Sequence, residues 1–336
     1  MWCHQSDLGT AEKLNTKKRP KVSPKSDRGD HEYPFRRVRQ LTCAVSVDLG
    51  GWSWHAPARE WSEMKAAYLR TAVNLQSGVV VGDKPKPSPG PGELLIRVGA
   101  AGMTPGELLW YPTTHTRQGS AREDPIPGHE FSGWVESVDS SIHGIVPGRQ
   151  VFGMNDWFGQ GATAEYCIAL PQDVTAKPKR LSHAEAASVP ISALTAWQAL
   201  FDRAKLRAGE RVLVHGGAGS VGAYVIQLAK LHGAEVIATG TAPNLEFLRS
   251  IKADQVIDYR AVPFEQAITT VDVVFDAAGG DVLTRSLPLL DVGGRAVTVA
   301  TGNQSTADPR TKAAFFIVEP NGAQLTAFIF FAMLFS

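Results

Sequence analysis

Gly216-Gly217-Ala218-Gly219-Ser220-Val221-Gly222 holds three glycines, Gly217, Gly219 and Gly222, at the spacing G-x-G-x-x-G. The apolar run Val212–His215 comes directly before it, and the helically spaced stretch Val221–Leu231 directly after. The chemistry such a turn performs is recognition of a pyrophosphate. Small residues let the chain turn tightly and let its backbone approach the phosphates, while a helix starting near Ser220 aims its free N–H groups and positive dipole end at them. A glycine pattern alone says little, because glycine-rich turns are common. Here a strand precedes it, a helix follows it, and at least three more strand–helix steps come after, which is the context a dinucleotide site requires.

The second strand of such a site decides the cofactor. NAD sites usually place Asp or Glu about 20 residues past the first glycine, where it accepts from the ribose hydroxyls. This chain has Thr239-Gly240-Thr241 there. No carboxylate would repel a 2′-phosphate, and hydroxyls are available to bind one. Asn244, Arg249, Tyr259 and Arg260 could add donors or positive charge. NADPH is therefore expected over NADH. The plainer reading of some of these residues is solvated surface, Arg249 foremost because it lies on a helix.

The elements that must hold these residues fall into two styles. After Arg211 strands and helices alternate: strand Val212–His215, helix Val221–Leu231, strand Glu235–Thr239, helix Asn244–Ile251, strands Gln255–Asp258 and Val271–Asp276, helix Val282–Leu290 and strand Arg295–Ala300. That rhythm predicts an α/β doubly wound parallel sheet covered on both faces. From Met64 to about Leu170 the pattern is instead β-rich, with short strands at Lys65–Leu69, Gly78–Val81, Leu94–Ala101, Gly133–Val138, Gln150–Phe152 and within Ala162–Leu170. The proline-rich segment 84–92 is expected to be an exposed loop, since it suits neither a helix nor an interior strand. A helical pattern starting near Ala184 sets Ile191, Leu194, Trp197 and Leu200 on one face. Residues 1–63 show no apolar period and are expected to be a disordered extension. Trp52, Trp54 and Trp61 within it could instead form a docking strand.

Bulk properties exclude several classes. With 336 residues, 43% hydrophobic and 20% charged, the chain has room for two globular domains. A net charge of +1 gives no reason to expect nucleic acid or an anionic membrane as partner. Cys3, Cys43 and Cys167 are widely spaced, so neither a disulfide framework nor a thiolate zinc site is readable, and the cytoplasm is the expected compartment. The longest apolar run, Ala327–Phe335, has nine residues where about 20 would span a bilayer. Ten Lys/Arg against five Asp/Glu in the first 40 residues are compatible with a transit peptide, although the acidic residues argue against one.

Further stretches carry a family resemblance. Ala100-Ala101-Gly102-Met103-Thr104-Pro105, Pro127-Gly128-His129-Glu130-Phe131-Ser132-Gly133, Ala193-Leu194-Thr195-Ala196-Trp197-Gln198-Ala199-Leu200, the glycine loop, Val274-Phe275-Asp276-Ala277-Ala278-Gly279-Gly280 and Phe315-Phe316-Ile317-Val318 occur in that order. From Met64 to about Gln324 the chain resembles the medium-chain dehydrogenase/reductase superfamily, in its zinc-free quinone oxidoreductase branch. The resemblance implies a GroES-like β-rich domain over 64–186 and a Rossmann NADPH-binding domain over 187–325, with the active site in the cleft between them. It also implies a homodimer formed through an edge strand of the Rossmann sheet. The cofactor-contacting set it implies adds Thr195, Ala277, Ile317 and Val318 to Gly216, Gly217, Ala218, Gly219, Ser220, Val221, Gly222, Thr239, Thr241, Asn244 and Tyr259.

Zinc alcohol dehydrogenases of this superfamily hold their catalytic metal with Cys, His and Cys. By motif position those places are Thr104, His129 and Ile191 here, and a catalytic zinc needs three protein ligands. The resemblance thus implies no metal, with His129 and Glu130 as structural or substrate-orienting groups. It places the loop from Thr104 to Tyr111 beside the nicotinamide, so Thr104 and Tyr111 are the candidate proton donors for hydride transfer to a quinone or an α,β-unsaturated carbonyl. Packing is an equally ordinary role for a Tyr between Trp110 and Pro112. The family continues for several dozen residues after Phe-Phe-x-Val, whereas residues 326–336 form a tail that is apolar on every face. That tail predicts a β domain lacking its last strands and an exposed apolar surface. Two alternatives stay open: a non-catalytic NADPH-binding protein, and a zinc alcohol dehydrogenase.

Overall fold

Two antiparallel β layers and one parallel sheet make up the molecule's framework. The computed structural model describes residues 62–70, 78–104, 106–300 and 309–334. The expected disordered extension, with Trp52, Trp54 and Trp61, therefore lies outside the described residues apart from Ser62 and Glu63. Glu63 already belongs to the first strand.

β1 (Glu63–Arg70) and β2 (Gly78–Pro85) form an antiparallel pair, with Met64 opposite Lys84. The loop expected from Lys84 onward thus begins two residues late. Pro85 is tolerated because it ends β2, which pairs only with β1. A five-stranded antiparallel sheet follows, in the order β6-β3-β4-β5-β7. Its members are β3 (Leu94–Gly102), β4 (Glu130–Val138), β5 (Gln150–Met154), β6 (Tyr166–Ala169) and β7 (Val174–Ala176). Leu94, Ile96, Phe131, Val135, Val151 and Cys167 are its buried centre. Between β3 and β4 the chain makes a 3₁₀ turn at Glu107–Leu109 and the four-residue helix α1 (Tyr111–Thr114).

Ser182 and Glu185 then form a capping box that starts α2 (His183–Ala187). α3 (Pro190–Trp197) opens with Pro at its first turn, where the missing N–H has no cost. A π-helical segment carries it on to Arg203. Ile191 and Leu194 pack toward the β layer, while Leu200 joins the core under the parallel sheet.

That sheet has the order β10-β9-β8-β11-β12, and every pair in it is parallel. In chain order it runs β8 (Arg211–His215), α4 (Ser220–Leu231), β9 (Glu235–Gly240), α5 (Leu245–Ser250), β10 (Gln255–Asp258), α6 (Phe264–Ala267), β11 (Val271–Asp276), α7 (Val282–Ser286) and β12 (Leu290–Thr298). The direction of strand succession reverses between β8 and β11, and a crevice for ligands opens at the carboxyl ends there. β12 begins five residues earlier and ends two earlier than the apolar pattern suggests, because the glycine pair Gly293-Gly294 is taken into the strand. α8 (Pro309–Ala314) leads to a parallel bridge between Phe315 and Thr298. α9 (Gly322–Leu334) closes the described chain, with Leu325 and Phe328 buried and Phe330 61% exposed.

Candidate functional site

The glycine turn lies at the carboxyl end of β8. Gly216 takes a positive φ of 74°, which L side chains rarely adopt. A Cβ on Gly222 would overlap the Gly216 carbonyl oxygen and stand 2.7 Å from the Gly217 Cα, so both positions demand glycine. Gly219 caps α4 with no side-chain hydrogen bond, which leaves the first N–H groups of a twelve-residue helix for a ligand. Asp276 shapes the facing turn. Its carboxylate accepts from the N–H groups of Ala278 and Gly279 at 2.8 and 2.9 Å and from Thr298 Oγ1 at 3.0 Å.

These turns border a cavity of about 440 Å³. Seven of the expected cofactor residues line it: Gly216, Ala218, Gly219, Thr239, Thr241, Asn244 and Tyr259. Gly217, Ser220, Val221 and Gly222 form the turn and helix start behind it. Ala277 packs against Gly216. Arg249 and Arg260 are exposed and are not among the lining residues. His215, Phe264, Val282 and Arg285 line the cavity without having been expected. His215 adjoins the glycine motif and was within reach of sequence reasoning. Arg285 was not, because only the packing of α7 brings it to the cavity. Its guanidinium pairs with both carboxylate oxygens of Glu265 at 2.6 and 3.0 Å and lies over the Phe264 ring.

Hydrogen-bond donors and acceptors in this cavity have a definite order. Ser286 Oγ donates to the Val282 carbonyl at 2.7 Å and so accepts from His215 Nε2 at 2.9 Å. The other ring nitrogen of His215 then carries a lone pair, and Thr239 Oγ1 donates to it at 3.0 Å. Burial lowers the His215 pKa to about 4, which keeps the ring neutral at pH 7. Thr239 therefore offers a lone pair to a ligand rather than a proton. Thr241 Oγ1 accepts from Asn244 Nδ2 at 3.4 Å, and its own proton has no acceptor among the described residues.

A second buried cluster surrounds the loop expected to face the nicotinamide. Glu107 is fully buried, and accepts from the Thr104 N–H at 3.0 Å, the Thr104 hydroxyl at 3.2 Å and the Gly128 N–H at 2.6 Å. The one hydroxyl proton of Thr104 is thus directed at Glu107. His129 Nδ1 meets Asn155 Oδ1 at 3.1 Å, while Nε2 has no hydrogen-bond partner among the described residues and lies 3.7 Å from Glu107. Burial lowers the His129 pKa to about 4, so this is a contact with a neutral imidazole and not an ion pair. Glu130 accepts from the Ile191 N–H at 2.9 Å, and burial pushes its carboxyl up to about 8.

The remaining expected residues are more dispersed. Tyr111 is 55% exposed and stacks on His115, with ring centres 4.3 Å apart. Thr195 is buried, and its hydroxyl donates to the Ile191 carbonyl at 2.6 Å. Ile317 is half exposed, whereas Val318 is buried and its carbonyl accepts from Trp157 Nε1 at 2.9 Å. Among the described residues no group of three or more His, Cys, Asp and Glu side chains is placed to hold a metal. None of their helices is long and apolar enough to cross a membrane.

A GroES-like β domain followed by a parallel dinucleotide-binding sheet defines a nicotinamide-dependent oxidoreductase class, and comparison with known proteins agrees. Residues 90–179 match the alcohol dehydrogenase GroES-like domain, and residues 220–330 match the family described as zinc-binding dehydrogenase. A probable zinc-binding oxidoreductase, mitochondrial, of Arthroderma benhamiae is 33% identical over 71% of this chain and 78% of its own length. The 2-methylene-furan-3-one reductase of Solanum lycopersicum is 34% identical over 91% of this chain and 79% of its own. The solved quinone oxidoreductase of Coxiella burnetii superposes with a TM-score of 0.70 at 31% identity, covering 81% of this chain and 87% of that one. The chain belongs to the medium-chain dehydrogenase/reductase superfamily, in its quinone oxidoreductase-like branch.

Proposed function

We propose that the protein transfers hydride from NADPH to a quinone or an α,β-unsaturated carbonyl, and does so without zinc. The observation that carries the cofactor choice is the cavity at the ends of β8 and β9. Its described lining offers Thr241, Asn244, Tyr259 and the cation Arg285, and includes no carboxylate. In this reading the glycine turn and the start of α4 hold the pyrophosphate, Thr241 donates to the 2′-phosphate, and Thr239 accepts from the adenosine. Bound NADPH would supply the hydride; the protein binds, orients and excludes water.

Thr104, His129 and Ile191 do not make a zinc site by their chemistry. The Thr104 hydroxyl is engaged by Glu107, and Ile191 has no donor atom. Polarisation of the acceptor carbonyl then falls to hydrogen bonds. Tyr111 is the candidate donor, since its phenol has no hydrogen-bond partner among the described residues, and Thr104 acts with Glu107 to fix the loop. The names of the tomato reductase and of the quinone oxidoreductase support the acceptor class. Pairing through an edge strand of the parallel sheet would make the homodimer.

A titration with NADPH and NADH, followed by nicotinamide fluorescence and then by addition of 9,10-phenanthrenequinone, tests the reading. Preferential NADPH binding with quinone-dependent oxidation is the expected result. Binding without turnover favours a non-catalytic NADPH-binding protein, which the engaged Thr104 proton also fits. Turnover that requires added zinc would restore the alcohol dehydrogenase reading.

A further inference from the structure

One indole joins the β domain to the parallel sheet at the expected nicotinamide end. Trp157, in the loop after β5, is 6% exposed, and its Nε1–H donates to the Val318 carbonyl across 161 positions of chain. Its ring centre lies 4.9 Å from that of Trp110 and 5.0 Å from that of His129. Leu194 of α3 and Leu325 of α9 belong to the same apolar cluster. A single side chain therefore touches the end of the Thr104 loop, the buried histidine, and the segment after Phe315. That segment begins where Phe315 bridges Thr298, the last residue of β12, so Val318 lies beyond the carboxyl edge of the parallel sheet. Ligands of open α/β sheets bind along that edge.

A carbonyl oxygen has two lone pairs, and the indole uses one. We propose that Trp157 is a positioning residue for the cofactor's nicotinamide end. Its N–H fixes the Val318 carbonyl so that the second lone pair accepts from a primary amide such as the nicotinamide carboxamide. Its ring holds Trp110, and with it the Thr104 loop, against the same end. The proposal rests on the cofactor reading above. It also confines the effect of Trp157 to one half of the dinucleotide, because Trp157, Trp110, His129 and Val318 are all absent from the lining of the adenosine-side cavity.

The test compares binding of NADPH and of adenosine 2′,5′-bisphosphate, which lacks the nicotinamide, to the full chain and to Trp157→Phe, by calorimetry. The variant keeps an aromatic ring and loses the N–H. NADPH affinity is expected to fall about tenfold, the size of one buried hydrogen bond, with the bisphosphate changed less than about twofold. Trp157→His, which retains a ring N–H, is expected to recover part of the loss. Equal weakening of both ligands, or NADPH binding as tight as in the wild type, overturns the proposal. A wild type that binds neither ligand overturns the cofactor reading, and this proposal with it. If the variants do not fold, the indole N–H resonances of the nitrogen-15-labelled wild type decide. One exchange-protected resonance should move with NADPH and stay still with the bisphosphate, and the absence of any such resonance overturns the proposal.

Discussion

Hydroxyl polarity separates two threonines that look alike in the sequence. Thr239 gives its proton to His215, whose own proton goes to Ser286, whereas Thr241 keeps its proton for a ligand. Thr241→Val is therefore expected to weaken NADPH by about tenfold while NADH changes little, since only NADPH carries the phosphate. Thr239→Val leaves a buried imidazole nitrogen unpaired. It should cost about 1–3 kcal/mol of stability with little change in the NADPH-to-NADH ratio. Parallel titrations and melts of the two variants check both outcomes, and a reversed pattern would show that the proton order is the other way round.

Glu130 makes a separate claim at the same scale. Burial lifts its carboxyl from the ordinary 4.5 to about 8 in the folded chain. Between those values the folded state holds a proton that the unfolded chain has released, so stability falls as pH rises through that window. Glu130→Gln keeps an oxygen for the Ile191 N–H and removes the titration. The wild-type Tm should drop between pH 5 and pH 8 relative to that of Glu130→Gln, by roughly 5 °C or more. Parallel Tm curves for the two proteins would refute the assignment.

At the scale of elements, the glycine turn is a steric device as much as a binding one. Gly222→Ala would drive a methyl group into the Gly216 carbonyl, which belongs to rigid backbone. The turn would have to open, and dinucleotide binding should fall below detection while the far-ultraviolet circular dichroism stays close to that of the wild type. Unchanged binding would mean that the turn is not the phosphate cradle. This element was legible in the sequence because its function rests on local spacing, and β8, α4 and β9 follow the apolar pattern to within a residue. β7 was not, since three residues carry no period. Arg285 was legible as a helical residue but not as a site residue, because its place depends on how α7 packs against the sheet. The commitment of Thr104 to Glu107 was within reach of the sequence, because the two stand at the T-x-x-E spacing that joins a hydroxyl residue to a carboxylate one turn on. That of Val318 to Trp157 arises between segments far apart in the chain, which no local pattern reports.

For the whole molecule, the all-round apolarity of α9 follows from its having two cores to serve. Leu325 enters the cluster of Phe152, Met154 and Trp157 in the β domain. Phe328 joins the core beneath the parallel sheet and meets the Tyr224 ring at 5.3 Å. Thr326 Oγ1 lies 2.6 Å from Thr175 Oγ1 of β7. A helix lodged on two sides has no need of the polar face that a covering helix shows to water. Phe330, on the same helix, is 61% exposed. If α9 ties the two cores together, the chain should unfold in one calorimetric transition. Leu325→Ala and Phe328→Ala, one in each core, should then each lower that single Tm, at a cost of about 2–5 kcal/mol. Phe330→Ser should change stability by no more than about 0.5 kcal/mol. Two resolved transitions in the wild type, with each substitution moving only one of them, would show instead that the cores unfold independently and that α9 does not tie them together.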